Sequence, residues 1–305
     1  MLQGRKDDQV KDGFHPQEQD DHGDQGAPLN DPRGDPIGTI PESEWKDPLE
    51  VCIVQPKLSL GNIEENLSST SSLIESASRE GPMDIVVLPE VFATGFHYES
   101  LPELSKKAPD TIRYMGKIAR EHSTAIMFTL VINDKGRFYN RFMVLDRDGR
   151  KLATYDKTHL FSRAGEDEFF TPGKTLTEFS LEGARIAPLI CYEVRFPELA
   201  RKHVLNGVDI LVYPAQWPAF RIFQWETLIM ARAIENQCYV IGVGGVGDHG
   251  PTAMGGHSMV VAPFGDVLCR LDDSSGYARA RIDPGRIREI RRRIPVLVER
   301  RPELY

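Results

Sequence analysis

The feature that most constrains this chain is the form of its apolar runs, which are short and are separated in several places by segments of helical period. Val51-Cys52-Ile53-Val54 and Ile85-Val86-Val87-Leu88 read as buried strands. Between them, Asn62 followed by Glu65 three residues later marks a helix start. Ile63, Leu67, Ile74 and Ala77 keep helical spacing until Gly81 stops the helix. Ile112, Met115 and Ala119 mark a second amphipathic helix, and Pro197–Leu205 and Gln224–Glu235 read as two more. Further strands are expected at Ala125–Val131, Phe142–Asp146, Leu152–Tyr155, Ile186–Cys191, Ile210–Tyr213, Tyr239–Val243, Ser258–Ala262, Asp266–Leu271 and Tyr277–Ile282. Strands alternate with helices, yet pairs of strands also follow each other directly. That mixture predicts an α/β domain in which helices cover the outer faces of strand layers, running from about residue 49 to 305.

The first 48 residues are of another kind. They hold six Pro and six Gly, and their apolar residues (Val10, Phe14, Leu29, Ile37, Ile40, Trp45) are isolated. Such a segment buries too little surface to offset its ordering entropy, so 1–48 reads as a disordered, acidic extension. It carries twelve acids against five bases, a net charge of −7 out of −8 for the whole chain, and leaves the remaining 257 residues at −1. No Lys/Arg block dominates, which argues against a nucleic-acid backbone binder. No apolar run approaches the roughly 18 residues of a membrane span, and the N-terminus lacks the apolar core of a secretory signal. The four cysteines, Cys52, Cys191, Cys238 and Cys269, are widely spaced with no CxxC pair. This fits neither a disulfide framework nor a structural zinc site, and points to a reducing, cytoplasmic setting. No spacing argues for a metal, and no cofactor is expected.

Three segments place a reactive group just after an apolar or strand-like run: Leu88-Pro89-Glu90, Tyr155-Asp156-Lys157 and Leu189-Ile190-Cys191. Taken singly, each has an ordinary reading: an inert buried thiol, a helix-capping carboxylate, a solvated lysine. Together they could supply a nucleophile, a base and an oxyanion donor.

The wider motifs are Leu88-Pro89-Glu90-Val91-Phe92, Tyr155-Asp156-Lys157-Thr158-His159-Leu160-Phe161 and Ile190-Cys191-Tyr192-Glu193-Val194-Arg195-Phe196-Pro197-Glu198. In order and separation they resemble the three catalytic motifs of the nitrilase, or carbon–nitrogen hydrolase, superfamily. The resemblance covers roughly 49–305 and implies a four-layer α-β-β-α sandwich that commonly pairs into a homodimer. It also implies roles: Cys191 the nucleophile, Glu90 the general base, Lys157 the oxyanion stabiliser, and the backbone N–H of Tyr192 a second oxyanion donor. A further family carboxylate lies seven residues before the glycine of a Pro-Gly pair. Pro172-Gly173 places it at Glu166, with Glu168 as the competing position.

Within the superfamily, Glu90-Val91-Phe92-Ala93-Thr94-Gly95-Phe96 and Gln216-Trp217-Pro218-Ala219-Phe220-Arg221 resemble the ω-amidase branch. That branch hydrolyses terminal amides of 2-oxo acids, such as 2-oxoglutaramate, to the acid and ammonia. The alternatives are an N-carbamoyl amide hydrolase, an aliphatic amidase or a nitrilase. A carboxylate-bearing substrate needs a cationic clamp, for which Arg221 is the candidate. Arg195 reads instead as a structural ion pair with Glu193, Glu198 or Glu235. Trp217, Phe220 and Phe96 are candidate pocket walls that could equally be core. His159 reads as an orienting group. The glycine-rich Gly242–Gly247 stretch has no dinucleotide-loop pattern and reads as a strand-end loop near the pocket.

Overall fold

The computed structural model describes residues 40–304. In chain order the first strands are β1 (Leu49–Gln55), β2 (Ile85–Val87), β3 (Ala125–Asp134), β4 (Arg137–Leu145) and β5 (Lys151–Asp156). They are followed by β6 (Phe179–Leu181), β7 (Ala184–Pro188), β8 (Ile210–Ala215), β9 (Tyr239–Gly244), β10 (Val246–His249), β11 (Thr252–Gly255), β12 (Met259–Val261), β13 (Val267–Arg270) and β14 (Gly276–Ile282). Two six-stranded sheets result, ordered β14-β1-β2-β3-β4-β5 and β13-β12-β9-β8-β7-β6, while β10 and β11 form a separate hairpin. The centre of each sheet is parallel: Val51 pairs with Ile85 and Ile85 with Ala125 in one, and Ile186 pairs with Ile210 and Ile210 with Tyr239 in the other.

The wholly apolar runs follow from this layering. Val51, Ile53, Ile85, Val87, Ala125 and Met127 belong to one core cluster, shared with the second sheet. Their alternate neighbours Cys52, Val54, Val86, Ile126 and Phe128 face the opposite way, into a second cluster with α1 (Ile63–Ser78) and, after the short α2 (Leu101–Ser105), α3 (Ala108–His122). A strand covered on both faces has no polar positions to alternate with. The second sheet is capped in the same way. After the single turn α4 (Glu166–Phe169) come α5 (Pro197–Leu205), which buries Ala200 and Val204, and α6 (Ile222–Asn236), which buries Trp225, Ile229 and Ala233. Helix, sheet, sheet, helix is the expected four-layer sandwich, of the nitrilase type.

Local signals match the elements they seed. The Asn62 side chain accepts from the Glu65 N–H at 3.2 Å and donates to the Glu65 carboxylate at 2.8 Å, closing the start of α1. A last helix, α7 (Pro284–Arg293), follows β14 and was not legible in the sequence; the Asp283 side chain caps it through the Gly285 N–H at 2.7 Å.

The boundary at residue 48 needs correcting. Trp45 is 1% exposed, meets Tyr239 edge-on with ring centroids 5.8 Å apart, and donates from its indole N–H to the Asp47 carbonyl at 2.7 Å. The domain therefore includes residues ahead of Leu49; a lone aromatic among polar residues carries no periodicity to betray its burial. The rest of the expected extension, residues 1–39, lies outside the described residues. No helix among the described residues is long and apolar enough to cross a membrane.

Candidate active site

Three sequence motifs converge at one end of the two sheets. Leu88 extends the β2 ladder, its N–H bonding the Met127 carbonyl at 2.8 Å. Pro89 then offers no N–H and the chain turns. The turn passes through Val91 at φ +41, a region that β-branched residues rarely adopt, and is pinned by the Val91 N–H to Thr129 Oγ1 at 2.6 Å. Glu90 is thereby aimed inward. Lys157 follows β5 directly, with its backbone held at both ends: its N–H bonds the Asn140 carbonyl at 3.0 Å and its carbonyl accepts from Gly173 at 2.8 Å. A Cβ on Gly173 would come within 2.1 Å of the Asp156 carbonyl oxygen, which explains the glycine of the Pro-Gly pair.

Cys191 does not end a strand, contrary to the expected strand Ile186–Cys191. The strand stops at Pro188, and Cys191 opens the 3-10 turn Cys191–Arg195 at φ +48. A non-glycine residue held there stores about 1–3 kcal/mol of strain. Tyr192 follows as the second residue of that turn, and it borders the same cavity as Cys191.

At the centre lies a buried charge cluster. Glu90, Lys157 and Glu166 are 0%, 2% and 1% exposed. Lys157 Nζ donates to Glu90 Oε1 at 2.8 Å and to Glu166 Oε1 and Oε2 at 2.7 and 2.9 Å, which uses all three of its protons. Glu90 also accepts from Asn140 Nδ2 at 2.7 Å and from the Gln216 N–H at 3.0 Å, and it is a hydrogen-bond neighbour of the Cys191 thiol. The thiol lies 3.7 Å from the Gln216 carbonyl. Burial raises the Glu90 carboxyl above its ordinary value, Lys157 draws it back, and Glu166 adds to the rise. Burial works against the Lys157 ammonium, but the two carboxylates more than offset it and hold it charged. Burial and then the Glu90 charge push the Cys191 thiol well above its ordinary range. The resting state is thus a neutral thiol beside a carboxylate able to take its proton.

Glu193 ties two of these segments together. Its Oε1 accepts from Tyr155 Oη and Thr158 Oγ1, both at 2.6 Å, from the Thr158 N–H at 2.9 Å and from the His159 N–H at 3.1 Å. Its Oε2 accepts from the Ile190 N–H at 2.6 Å. Burial alone would raise this carboxyl, but hydrogen bonds from His159, Thr158 and Tyr155 hold it below the usual range. One buried carboxylate therefore fixes the loop after Lys157 against the residue before Cys191. His159 sits in this network, its Nδ1 2.9 Å from Thr158 Oγ1.

The cluster opens on a cavity of about 420 Å³. Glu90, Lys157, Glu166, Cys191, Tyr192, Phe96, Trp217, Phe220 and Arg221 all border it, whereas His159 and Glu168 do not. Of the two acids weighed from the sequence, Glu166 is buried against Lys157, whereas Glu168 is exposed. Trp217 is buried, whereas Phe220 is 73% exposed and forms the rim. The other cysteines are elsewhere: Cys52 and Cys238 are buried in the core clusters and Cys269 packs against one of them. Gly242–Gly247 is the end of β9 and the start of the β10–β11 hairpin, which forms one wall.

The reading of Arg195 is overturned. Glu193 is committed elsewhere, and Glu235 pairs with Arg232 at 2.7 Å. Arg195 has no carboxylate partner among the described residues; it stacks on Trp217 at 5.0 Å and borders the cavity. Arg221, over Phe161 and Phe220, and Arg163 border it likewise. The sequence reading gave no role to Asn140, Gln216, Tyr98, Arg163 or His249; Gln216 falls in a quoted segment, and the others carry no spacing signal. Among the described residues no group of His, Cys, Asp and Glu could hold a metal ion. A thiol with a buried proton acceptor and a buried ammonium alongside can form and stabilise a tetrahedral acyl adduct.

Comparison with known proteins agrees with this geometry. The sequence profile of the carbon-nitrogen hydrolase family matches residues 50–292. The chain is 33% identical over 257 residues to the 2-oxoglutaramate amidase of Bacillus subtilis (strain 168), covering 84% of this chain and 98% of that protein. It is 33% identical over 255 residues to the omega-amidase NIT2 of Bos taurus, covering 79% and 91%. Among solved structures, XC1258 from Xanthomonas campestris, a carbon–nitrogen hydrolase superfamily protein with an arsenic adduct in its active site, superposes with a TM-score of 0.78 at 27% identity, over 84% of this chain and 98% of that one.

Proposed function

This chain belongs to the carbon–nitrogen hydrolase family, hydrolases of non-peptide carbon–nitrogen bonds, and from that premise we propose that it is a thiol amidase acting on the terminal amide of a 2-oxo acid, 2-oxoglutaramate being the reference substrate. The observation that carries the substrate class is the charge arrangement of the cavity. Its floor holds two buried carboxylates against one ammonium, a net charge of −1, while Arg163, Arg195 and Arg221 line it without carboxylate partners among the described residues. A substrate carboxylate is repelled from the floor and attracted to those guanidinium groups. The amide end is therefore the end presented to Cys191. The 33% identity to a 2-oxoglutaramate amidase supports the same substrate.

In the proposed reaction Glu90 takes the Cys191 proton as sulfur attacks the amide carbon. The Tyr192 N–H meets the developing oxyanion, and Lys157 supports it as one of its contacts to Glu166 yields. Glu90 returns the proton to the leaving nitrogen, ammonia departs, and a thioester remains on Cys191. Water, deprotonated by Glu90 or Glu166, then releases the acid. No cofactor enters this scheme. We further propose that the protein is cytoplasmic and a homodimer; the pairing is supported by exposed apolar residues on and near α6: Phe223 (74% exposed), Ile234, Ile294 and Val296.

The test is product analysis by mass spectrometry, with the full chain offered 2-oxoglutaramate, N-carbamoyl amino acids, simple aliphatic amides and nitriles. Release of ammonia and 2-oxoglutarate at the highest kcat/KM supports the reading. Preferential turnover of a carbamoyl compound, aliphatic amide or nitrile replaces it with that activity.

A further inference from the structure

His249 ends β10 on the cavity wall. It is 9% exposed, and neither Nδ1 nor Nε2 has a hydrogen-bond partner. Three other histidines each have at least one partner: His203 Nδ1 is 3.0 Å from Glu178, His257 Nδ1 is 2.8 Å from Glu226, and His159 lies in the Glu193 network. Leaving a buried imidazole unpaired costs about 1–3 kcal/mol per group; both nitrogens are covered as the ring stands, and a small turn of the ring toward the cavity it borders gives one of them access to a bound partner. Burial pushes this imidazole down to about 4, so it is neutral at pH 7 and offers one N–H and one lone pair. With no neighbour fixing the tautomer, either nitrogen can carry the proton.

The wall that carries it is braced on both sides. Val246 accepts from the Leu58 N–H at 2.9 Å, and the Gly255 N–H donates to the Trp217 carbonyl at 2.8 Å. The ring packs on Gly95, where a Cβ would lie 3.2 Å from its Cε1 and Nε2. His249 therefore sits against the Glu90–Phe96 loop, on a hairpin that also anchors the Trp217 segment.

We propose that His249 is a specificity-determining residue that donates a hydrogen bond to the uncharged 2-oxo oxygen of the substrate. The inference rests on the functional reading above and deepens it. The arginines take the carboxylate, whereas a neutral donor suits a neutral carbonyl and adds no charge to the site. A substrate lacking the oxo group leaves the imidazole unpaired, which builds in discrimination.

The test measures binding by calorimetry, using full-length Cys191→Ala protein with 2-oxoglutarate and with glutarate, which differ only at carbon 2. We expect 2-oxoglutarate to bind about tenfold or more tightly than glutarate. His249→Phe, which keeps the wall filled, should bring the ratio to within about twofold, and His249→Gln should restore part of it. A preference that survives His249→Phe, or no preference in the parent, overturns the proposal. Ammonia release from 2-oxoglutaramate by the wild type is scored separately. No turnover with a His249-dependent preference refutes the functional reading alone. Turnover without that preference refutes this proposal alone, and failure to bind either dicarboxylate refutes both.

Discussion

Replacing Lys157 by Met removes the one cation between two buried carboxylates. At the observed 2.8 and 2.7 Å, each pair is worth about 6 kcal/mol at an effective dielectric constant of about 20, before desolvation is subtracted. Breaking buried pairs of this kind costs about 3–5 kcal/mol. The two carboxylates cannot both stay ionised without the lysine, so one holds a proton. The sign of the pH dependence follows. A carboxyl whose folded pKa is raised above its unfolded value adds stability below the unfolded value and loses it as pH rises through the folded one. The variant is therefore most stable in acid and weakens toward neutral pH more steeply than the wild type. Adding Glu166→Gln removes the repulsion, so the double variant should cost about 2–3 kcal/mol less than the sum of the singles. Urea denaturation at pH 5 and 8 of wild type, both singles and the double reads each quantity. Additivity within about 0.5 kcal/mol, or a Lys157→Met variant that gains stability as pH rises, would refute the account of the cluster.

Other predictions concern the thiol, the cavity and the domain edge. Glu90→Gln should slow iodoacetamide labelling of Cys191 at pH 7.5 at least tenfold, because burial and the Glu90 charge hold the thiol above its ordinary range and only a proton acceptor makes it reactive. Peptide mapping would report this site by site, and the wild-type rate should level off above the raised Glu90 value instead of climbing tenfold per pH unit. Arg195→Ala and Arg221→Ala should each raise KM for 2-oxoglutaramate about tenfold or more with a smaller change in kcat; steady-state kinetics with a carboxylate-free amide, where KM should hold, is the control. Trp45→Ala should destabilise the protein by about 3–5 kcal/mol in urea, as for a core aromatic, whereas a boundary at residue 48 predicts almost no change.

Much of the fold was legible because its strands are covered on both faces. Runs such as Ile85-Val86-Val87-Leu88 have only one comfortable environment, and Asn62 with Glu65 marks a helix start by chemistry local to four residues. Features set by tertiary contact were not legible. The left-handed turn at Cys191 carries no glycine, because strain there is sustained by Glu193 and the packing around it. The β10–β11 hairpin hides in Val246-Gly247-Asp248-His249, which lacks alternation. In the site, motif order placed Glu90, Lys157 and Cys191 on one cavity, and the spacing to Pro172-Gly173 favoured Glu166 over Glu168; the structure buries Glu166 beside Lys157 and leaves Glu168 exposed. Arg195 was misread because sequence shows the acids nearby without showing that they are already engaged.

The central claim is a covalent acyl intermediate on one cysteine of four. The most direct measurement is rapid acid quench of the full-length protein during turnover of 2-oxoglutaramate, followed by intact-mass and peptide-mapping mass spectrometry. The account predicts a 2-oxoglutaryl adduct on Cys191 and no other residue, absent from Cys191→Ala, which should also release no ammonia. An adduct on another residue, or turnover retained by Cys191→Ala, would contradict it.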